Sequence, residues 1–375
     1  MWDQVCRARR AIGSWASNHK TLLVSTGVVV AVGAGAYYGA QHLMLEAKNM
    51  MMDSQRQLVA RQRLQIHLTR SKDECKNAFM RFVPSMKTRL YKRLDLEGVV
   101  ASLKVLDKSD KEMRDTLWED AKLLAFTRLF ASIHSFCLLE LLVHCELLIL
   151  GRKTYERSTA EKSDPESEDM TVQQQFMSST MEYFFETGLP NLTEELSGRI
   201  ANHVTLQEWR VSEKGQVSKK ELEDLLDNLQ KTCLPSTEED FKKWQSFLIY
   251  PDSIPSAKHP EGVLPLLNEL WDIFDLPLFQ NTLEACINKL FELVSVDILH
   301  SLYPHEHGRV TNVEEIKNPP LAKVIPQLKA ECARFIMETS KQSTLHKHWE
   351  ALSALTNLED LSESIFIQEE APTLS

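Results

Sequence analysis

Two regimes of hydrophobic and polar patterning divide this chain. From Thr21 to Leu45 the run TLLVSTGVVVAVGAGAYYGAQHLML holds no charged residue, and Lys20 and Glu46 bound it. At a helical rise of ~1.5 Å per residue such a run crosses the ~30 Å hydrocarbon core of a bilayer. The pattern therefore predicts a transmembrane helix over 21–45. A cleaved signal peptide fits less well, because the run is longer than the ~7–15 residues of a signal core and starts late. Trp15, Tyr37 and Tyr38 stand near its ends, where such rings favour the interface. Ala31, Gly35 and Gly39 have small-xxx-small spacing, which is also common composition in membrane helices.

After Glu46 the pattern becomes amphipathic. Residues 46–72 read as a polar helical stalk with Leu58, Leu64, Ile66 and Leu68 on its apolar side. Phe79, Phe82, Met86 and Leu90 continue at spacings of three and four, the helical period, with Pro84 expected to kink or restart the helix. A shorter segment over 98–106 carries Val99, Val100, Leu103 and Leu106. From Leu117 to Leu150 there is neither Pro nor Gly, which predicts a helix roughly 50 Å long. Its first half is amphipathic. Its second half, FCLLELLVHCELLIL, is apolar nearly all round, which suits a central core helix. Glu140 and Glu146 argue against a second membrane span.

Residues 158–169 (STAEKSDPESED) read as an acidic surface loop, and 250–265, with four prolines, as another. Helices are predicted over 172–186, 192–205, 218–229, 238–248, 266–302 with a break at 275–277, 322–341 and 345–361. Ser236 is a candidate N-cap, with Glu239 three residues on. Neither a solenoid repeat nor an alternating strand pattern is present. The fold class is all-α: a large helical bundle with one long central helix, preceded by a single N-terminal transmembrane helix.

Charge sharpens this division. Between Met1 and Arg70 nine basic residues face three acidic ones, a surplus of six, which leaves −16 of the net −10 for the remainder. A basic stretch beside an apolar segment suits anionic headgroups, and an acidic body argues against nucleic acid as partner. Both flanks of the span are basic, the N-terminal one slightly more, which by itself favours a cytosolic N-terminus. The thiol-bearing body points the other way, so charge leaves the orientation open. The seven cysteines are scattered with no C-x-x-C pair, which reads as free thiols in a reducing compartment.

Candidate chemistry is sparse. No GxGxxG, phosphate-binding Gly-x4-Gly-Lys or Gly-x-Ser-x-Gly is present. His305-Glu306-His307 lacks the spacing that sets two ligands on one helical face and reads as a loop. His134, Cys137 and His144 fall near one face of the long helix, where a metal site is conceivable, but the phenylalanines and leucines around them favour core packing. Trp118 stands among charged residues, close to Arg114 and Lys122. It reads equally as a hot spot for a partner helix or as a packing tryptophan.

Several segments carry a family resemblance. LWEDAKLLAFTR (Leu117–Arg128), VQQQFMSS (Val172–Ser179) and PLAKVIP (Pro320–Pro326), with the looser FVPSMKTRLYKRL (Phe82–Leu94) and GVVASLK (Gly98–Lys104), resemble the peroxisomal biogenesis factor 3 family in order and spacing. Residues 205–315 carry nothing over. The acidic loop at 158–169 and the extra residues before Trp118 depart from the family pattern.

The resemblance implies a docking receptor of peroxisome biogenesis, without catalysis or cofactor. Residues 1–20 would lie in the peroxisomal matrix, and residues 46–375 would form a cytosolic docking domain. Its partner would be the N-terminal amphipathic helix of peroxisomal biogenesis factor 19, the import receptor for peroxisomal membrane proteins, received in an apolar groove. By resemblance the groove comprises Trp118, Ala121, Lys122, Val100, Leu103, Arg114 and Lys323. The alternatives are a membrane-bound helical enzyme with a metal at His134, Cys137 and His144, or a generic organelle tether or autophagy adaptor.

Overall fold

A computed structural model describes residues 20–107, 109–159, 166–250, 262–304, 318–336 and 343–367, with the backbone alone for 20–47. Residues 1–66 and 67–375 are two compact units. Every described element is helical. In chain order they are α1 (Lys20–Arg93), α2 (Leu96–Val105), α3 (Lys111–Thr159), α4 (Glu166–Tyr183), α5 (Leu189–Ala201), α6 (Val204–Glu208), α7 (Lys219–Cys233), α8 (Glu238–Gln245), α9 (Leu264–Asp275), α10 (Pro277–Leu302), α11 (Leu321–Phe335), α12 (Thr344–Ser353) and α13 (Thr356–Phe366).

The first unit contributes the α1 backbone through the predicted span and the stalk. The span's side chains lie outside the described residues, as do the basic N-terminus, His305-Glu306-His307, residues 160–165 of the acidic loop and most of the Pro-rich loop; the two ends of the acidic loop, expected as loop, are helical in α3 and α4. The stalk residues Leu58, Val59 and Ile66 are exposed.

The second unit is built around α3. Its back half is apolar on every side and so has to be covered on every side. Coverage of α3 comes from α2 toward its front and from α5, α9, α10, α11 and α13, which all pack on it, and from α1, whose Phe79 ring meets Phe136 at 4.7 Å. Among the described residues, α3 is the helix long and apolar enough to cross a membrane, yet 94% of its most apolar window is buried inside the fold. It is the central core helix.

Local chemistry adjusts several expected boundaries. Pro84 does not break α1, which runs on to Arg93. The helix accommodates it there, and the Thr88 hydroxyl donates to the Pro84 carbonyl at 2.8 Å. α3 starts at Lys111 rather than near Leu117, because the Asp110 carboxylate accepts the Met113 N–H at 3.2 Å and caps it. The segment expected over 192–205 begins earlier and joins α4 through a π-helical turn, Phe184–Gly188. Gly188 is needed there, since a Cβ on it would lie 1.8 Å from the Phe247 carbonyl oxygen. The N-cap of α8 is Thr237, whose side chain accepts from Asp240 N, and not Ser236. Ser218 caps α7 with a full capping box to Glu221. The break at 275–277 is present, between α9 and α10. The helix expected over 345–361 divides between α12 and α13.

Polar groups tie this core together. Arg152 bonds the Ile365 carbonyl at 3.2 Å and pairs with Glu269. Trp349 Nε1 donates to Glu140 Oε2 at 2.9 Å. The six described cysteines are free and buried.

Candidate docking site at the open end of the long helix

Coverage of α3 thins toward its N-terminus. Ala121, Lys122, Ala125 and Leu129 are buried on one stripe of the helix. Trp118, one turn earlier on that stripe, is only half-buried. It makes no hydrogen bond or ring contact among the described residues. Leu117, Leu123 and Leu124 are likewise partly exposed, and Met113 is half exposed.

Two neighbours frame this end. The first is α2. Glu97, in its first turn, receives Arg128 through Nη1 at 2.8 Å and Nη2 at 2.6 Å. Its last residue joins α3 through the short loop 106–110, so α2 runs antiparallel to α3. Val100 and Leu103, both partly exposed, therefore lie one and two turns nearer the Trp118 level. The second neighbour is α11. Phe136 meets Phe335 with ring centroids 5.3 Å apart, and Lys329 reaches Glu97 at 3.4 Å. α11 thus lies alongside α3 and in the same direction. Counting twelve residues back along each helix from these phenylalanines arrives at Leu124 and Lys323. Lys323 is exposed.

The two helices are fastened by one buried cation. Arg128 is fully buried, donates to the Leu94 carbonyl through Nε at 3.1 Å, and stacks 4.2 Å from the Tyr91 ring centroid. Its hydrogen bonds hold the Glu97 carboxyl well below its usual range, at about 2.

Sequence reading had grouped Trp118, Arg114, Val100, Leu103, Ala121, Lys122 and Lys323. Exposure divides these residues into two sets. Trp118, Arg114, Val100, Leu103 and Lys323 retain exposed surface. Ala121 and Lys122 face inward, at 0% and 1% exposure. The Lys122 ammonium donates to the Leu206 carbonyl at 2.9 Å, the Trp209 carbonyl at 2.7 Å and Glu119 Oε2 at 2.5 Å. A lysine on an apolar stripe is the signal that an internal acceptor waits for it. Its acceptors, Leu206 and Trp209, come from a stretch for which the sequence offered no motif. Beside them a polar cleft of about 450 Å³ is lined by Lys111, Glu112, Asp115, Thr116, Glu119, Arg210 and Ser212.

The residues weighed as metal ligands have core roles. His134 Nδ1 lies 2.7 Å from the Phe130 carbonyl, and His144 Nε2 lies 2.7 Å from Ser362 Oγ. Burial lowers both, His134 to about 4 and His144 to about 3. Cys137 is buried, and its thiol is pushed up by burial. Among the described residues no group of three or more His, Cys, Asp or Glu side chains is placed to hold a metal.

Fold and site together define an all-helical bundle protein whose central helix emerges at one end as a partly uncovered apolar surface ringed by charges. Comparison with known proteins gives this class a relative. The Peroxin-3 family model matches residues 105–189, a span that holds both LWEDAKLLAFTR and VQQQFMSS. The chain is 23% identical to peroxisomal biogenesis factor 3 of Rattus norvegicus, 24% to that of Mus musculus and 22% to that of Homo sapiens. Each alignment covers 88% of this chain and 91% of the relative. The similarity to the peroxisomal biogenesis factor 3 proteins therefore extends over nearly the whole length of the chain.

Proposed function

We propose that this protein is a docking receptor of peroxisome biogenesis that binds the N-terminal amphipathic helix of the import receptor, peroxisomal biogenesis factor 19. The similarity to peroxisomal biogenesis factor 3 supports the role in peroxisome biogenesis. The observation that carries the docking step is Trp118: a large apolar ring on the core stripe of α3, left half-uncovered, with Val100, Leu103 and Leu124 also partly exposed. An amphipathic helix laid on such a surface supplies the missing apolar neighbours, and a few anchors account for most of the affinity. Arg114 and the exposed Lys323 stand at the rim, where they attract acidic residues of the incoming helix and steer its approach. Capture and release by this route involve no covalent step.

In this reading the span at 21–45 anchors the protein in the peroxisomal membrane. The short N-terminus faces the matrix, and the helical body faces the cytosol. The test is a calorimetric titration of the full chain in detergent with a peptide of the partner's N-terminal helix. Trp118→Ala should weaken binding by more than ~2 kcal/mol, and unchanged affinity rejects the role of Trp118. A fluorescent fusion tests the location independently: signal on organelles other than peroxisomes rejects the biogenesis reading and favours a generic tether.

A further inference from the structure

We propose that Lys122 and Glu119 form an internal clasp that positions the segment Leu206–Val211 as a wall of the docking end. The inference rests on the docking reading of that end and extends its surface to a part of the chain in which no motif is legible.

The need for a clasp follows from the segment itself. α6 has five residues, far fewer than a helix needs to persist by itself in water. Thr205 O accepts the Trp209 N–H at 3.1 Å, but the Leu206 carbonyl beyond it has no such backbone bond among the described residues, and these last carbonyls define the negative end of the helix dipole. The buried Lys122 ammonium answers this, bonding Leu206 O and Trp209 O together. Glu119 completes the clasp from both sides. One oxygen holds Lys122 at 2.5 Å, and the other accepts the Val211 N–H at 2.7 Å. Lys214 adds a cation over the Trp209 ring at 4.7 Å.

Position makes the clasp functional rather than merely cohesive. Lys122 is one turn from Trp118 on the same stripe, so the backbone it holds runs beside the proposed anchor. The segment then leads to Arg210 and Ser212, which line the polar cleft with Asp115 and Glu119. A wall fixed before binding spares the partner the cost of ordering it, which raises affinity without any new contact.

The experiment uses the full chain in detergent with the same helical peptide. Four proteins are compared: wild type, Lys122→Met, Glu119→Ala and Trp118→Ala. Glu119 is about one-third exposed, so its replacement leaves a folded protein even if Lys122→Met does not fold. Hydrogen exchange of residues 204–212 without peptide reads the clasp, and peptide affinity reads its consequence. Glu119→Ala should speed exchange in 204–212 by about tenfold with little change elsewhere in α3, and should weaken the peptide about fivefold or more. Trp118→Ala should weaken the peptide without changing that exchange. Unchanged exchange in Glu119→Ala overturns the clasp. Faster exchange with unchanged affinity overturns the wall. If instead Trp118→Ala binds like wild type, the docking reading falls, an outcome separate from the other two.

Discussion

The two halves of α3 belong to one unbroken helix, yet they meet opposite conditions. From Ala125 to Leu150 almost every side chain is buried, including Glu140, His144 and Glu146. From Lys111 to Leu124 most are partly exposed, although Leu117, Trp118, Leu123 and Leu124 are as apolar as anything in the back half. Helix propensity cannot explain this difference, since both halves are equally helical. What differs is how many neighbours arrive. The back half is enclosed by helices that return from far along the chain. The front half is flanked by α2, the start of α11 and the clasped segment after α6, and its outermost stripe remains open. Apolar surface enclosed on all sides contributes stability. Apolar surface left open and ringed by charge marks a place for a partner.

Substitutions can test that contrast, and the largest effect is expected in the back half. Phe136 is fully buried between Phe79 and Phe335. Phe136→Ala should lower unfolding stability by about 3–5 kcal/mol through loss of transfer energy and the cavity left behind, read by chemical denaturation. Peptide affinity of the folded fraction should be unchanged. A large affinity loss there would abolish the division of labour between the halves.

Trp118→Ala is the mirror experiment, expected to cost more than ~2 kcal/mol of binding but less than ~1 kcal/mol of stability, since a half-exposed side chain has less burial to lose. A stability loss like that of Phe136→Ala would return Trp118 to the core.

A third test uses the buried ionisable groups. Burial raises the carboxyls of Glu140 and Glu146 from the ordinary 4.5 to about 8. Between those limits the folded state holds more protons than the unfolded one, so stability falls as pH rises. Burial lowers His134 and His144 from 6.5 to about 4 and about 3. There the unfolded state holds more protons, so stability rises with pH up to about 6.5. From pH 6.5 to 8 the carboxyl effect acts without opposition from these histidines. With two such carboxyls, stability should decline over that window by on the order of 3 kcal/mol. The Glu140→Gln, Glu146→Gln double variant should flatten the decline in denaturant titrations across pH. A wild-type profile that is flat or rising over the window would contradict the burial of these carboxyls.

The smallest effects belong to the rim. Arg114→Ala and Lys323→Ala should each change stability by less than ~0.5 kcal/mol and weaken the peptide by less than ~1 kcal/mol, an effect that shrinks with added salt. Salt-independent losses would show that these cations are buried on binding.

The comparison also separates what periodicity records from what it omits. The long helix, its amphipathic front and its all-round apolar back were legible because the pattern of apolar positions is a local property. Trp118, Val100 and Leu103 come together only through the family resemblance of their motifs, and their grouping belongs to the proposed docking role. Lys122 was legible as a residue but not in its role. Its charged neighbours suggest a surface group and its place on the apolar stripe suggests an internal acceptor, and the carbonyls of Leu206 and Trp209 that decide between these are more than eighty positions away. Pro84 misled for a related reason. Proline removes one hydrogen bond, but the packing of Phe79, Val83, Met86 and Leu90, all buried, holds the helix through it.

By itself, then, the order of residues determined the all-helical class, the central place of α3 and the apolar run at 21–45, because each depends on near-neighbour spacing and length. Only the tertiary structure decided which apolar residues of α3 stay open and which charged ones turn inward. Those outcomes depend on partners remote in sequence: Glu97 and Leu94 for Arg128, the end of α6 for Lys122, and α11 for the level at which Lys323 stands. Burial is a property of the assembled neighbours, and no local pattern records it.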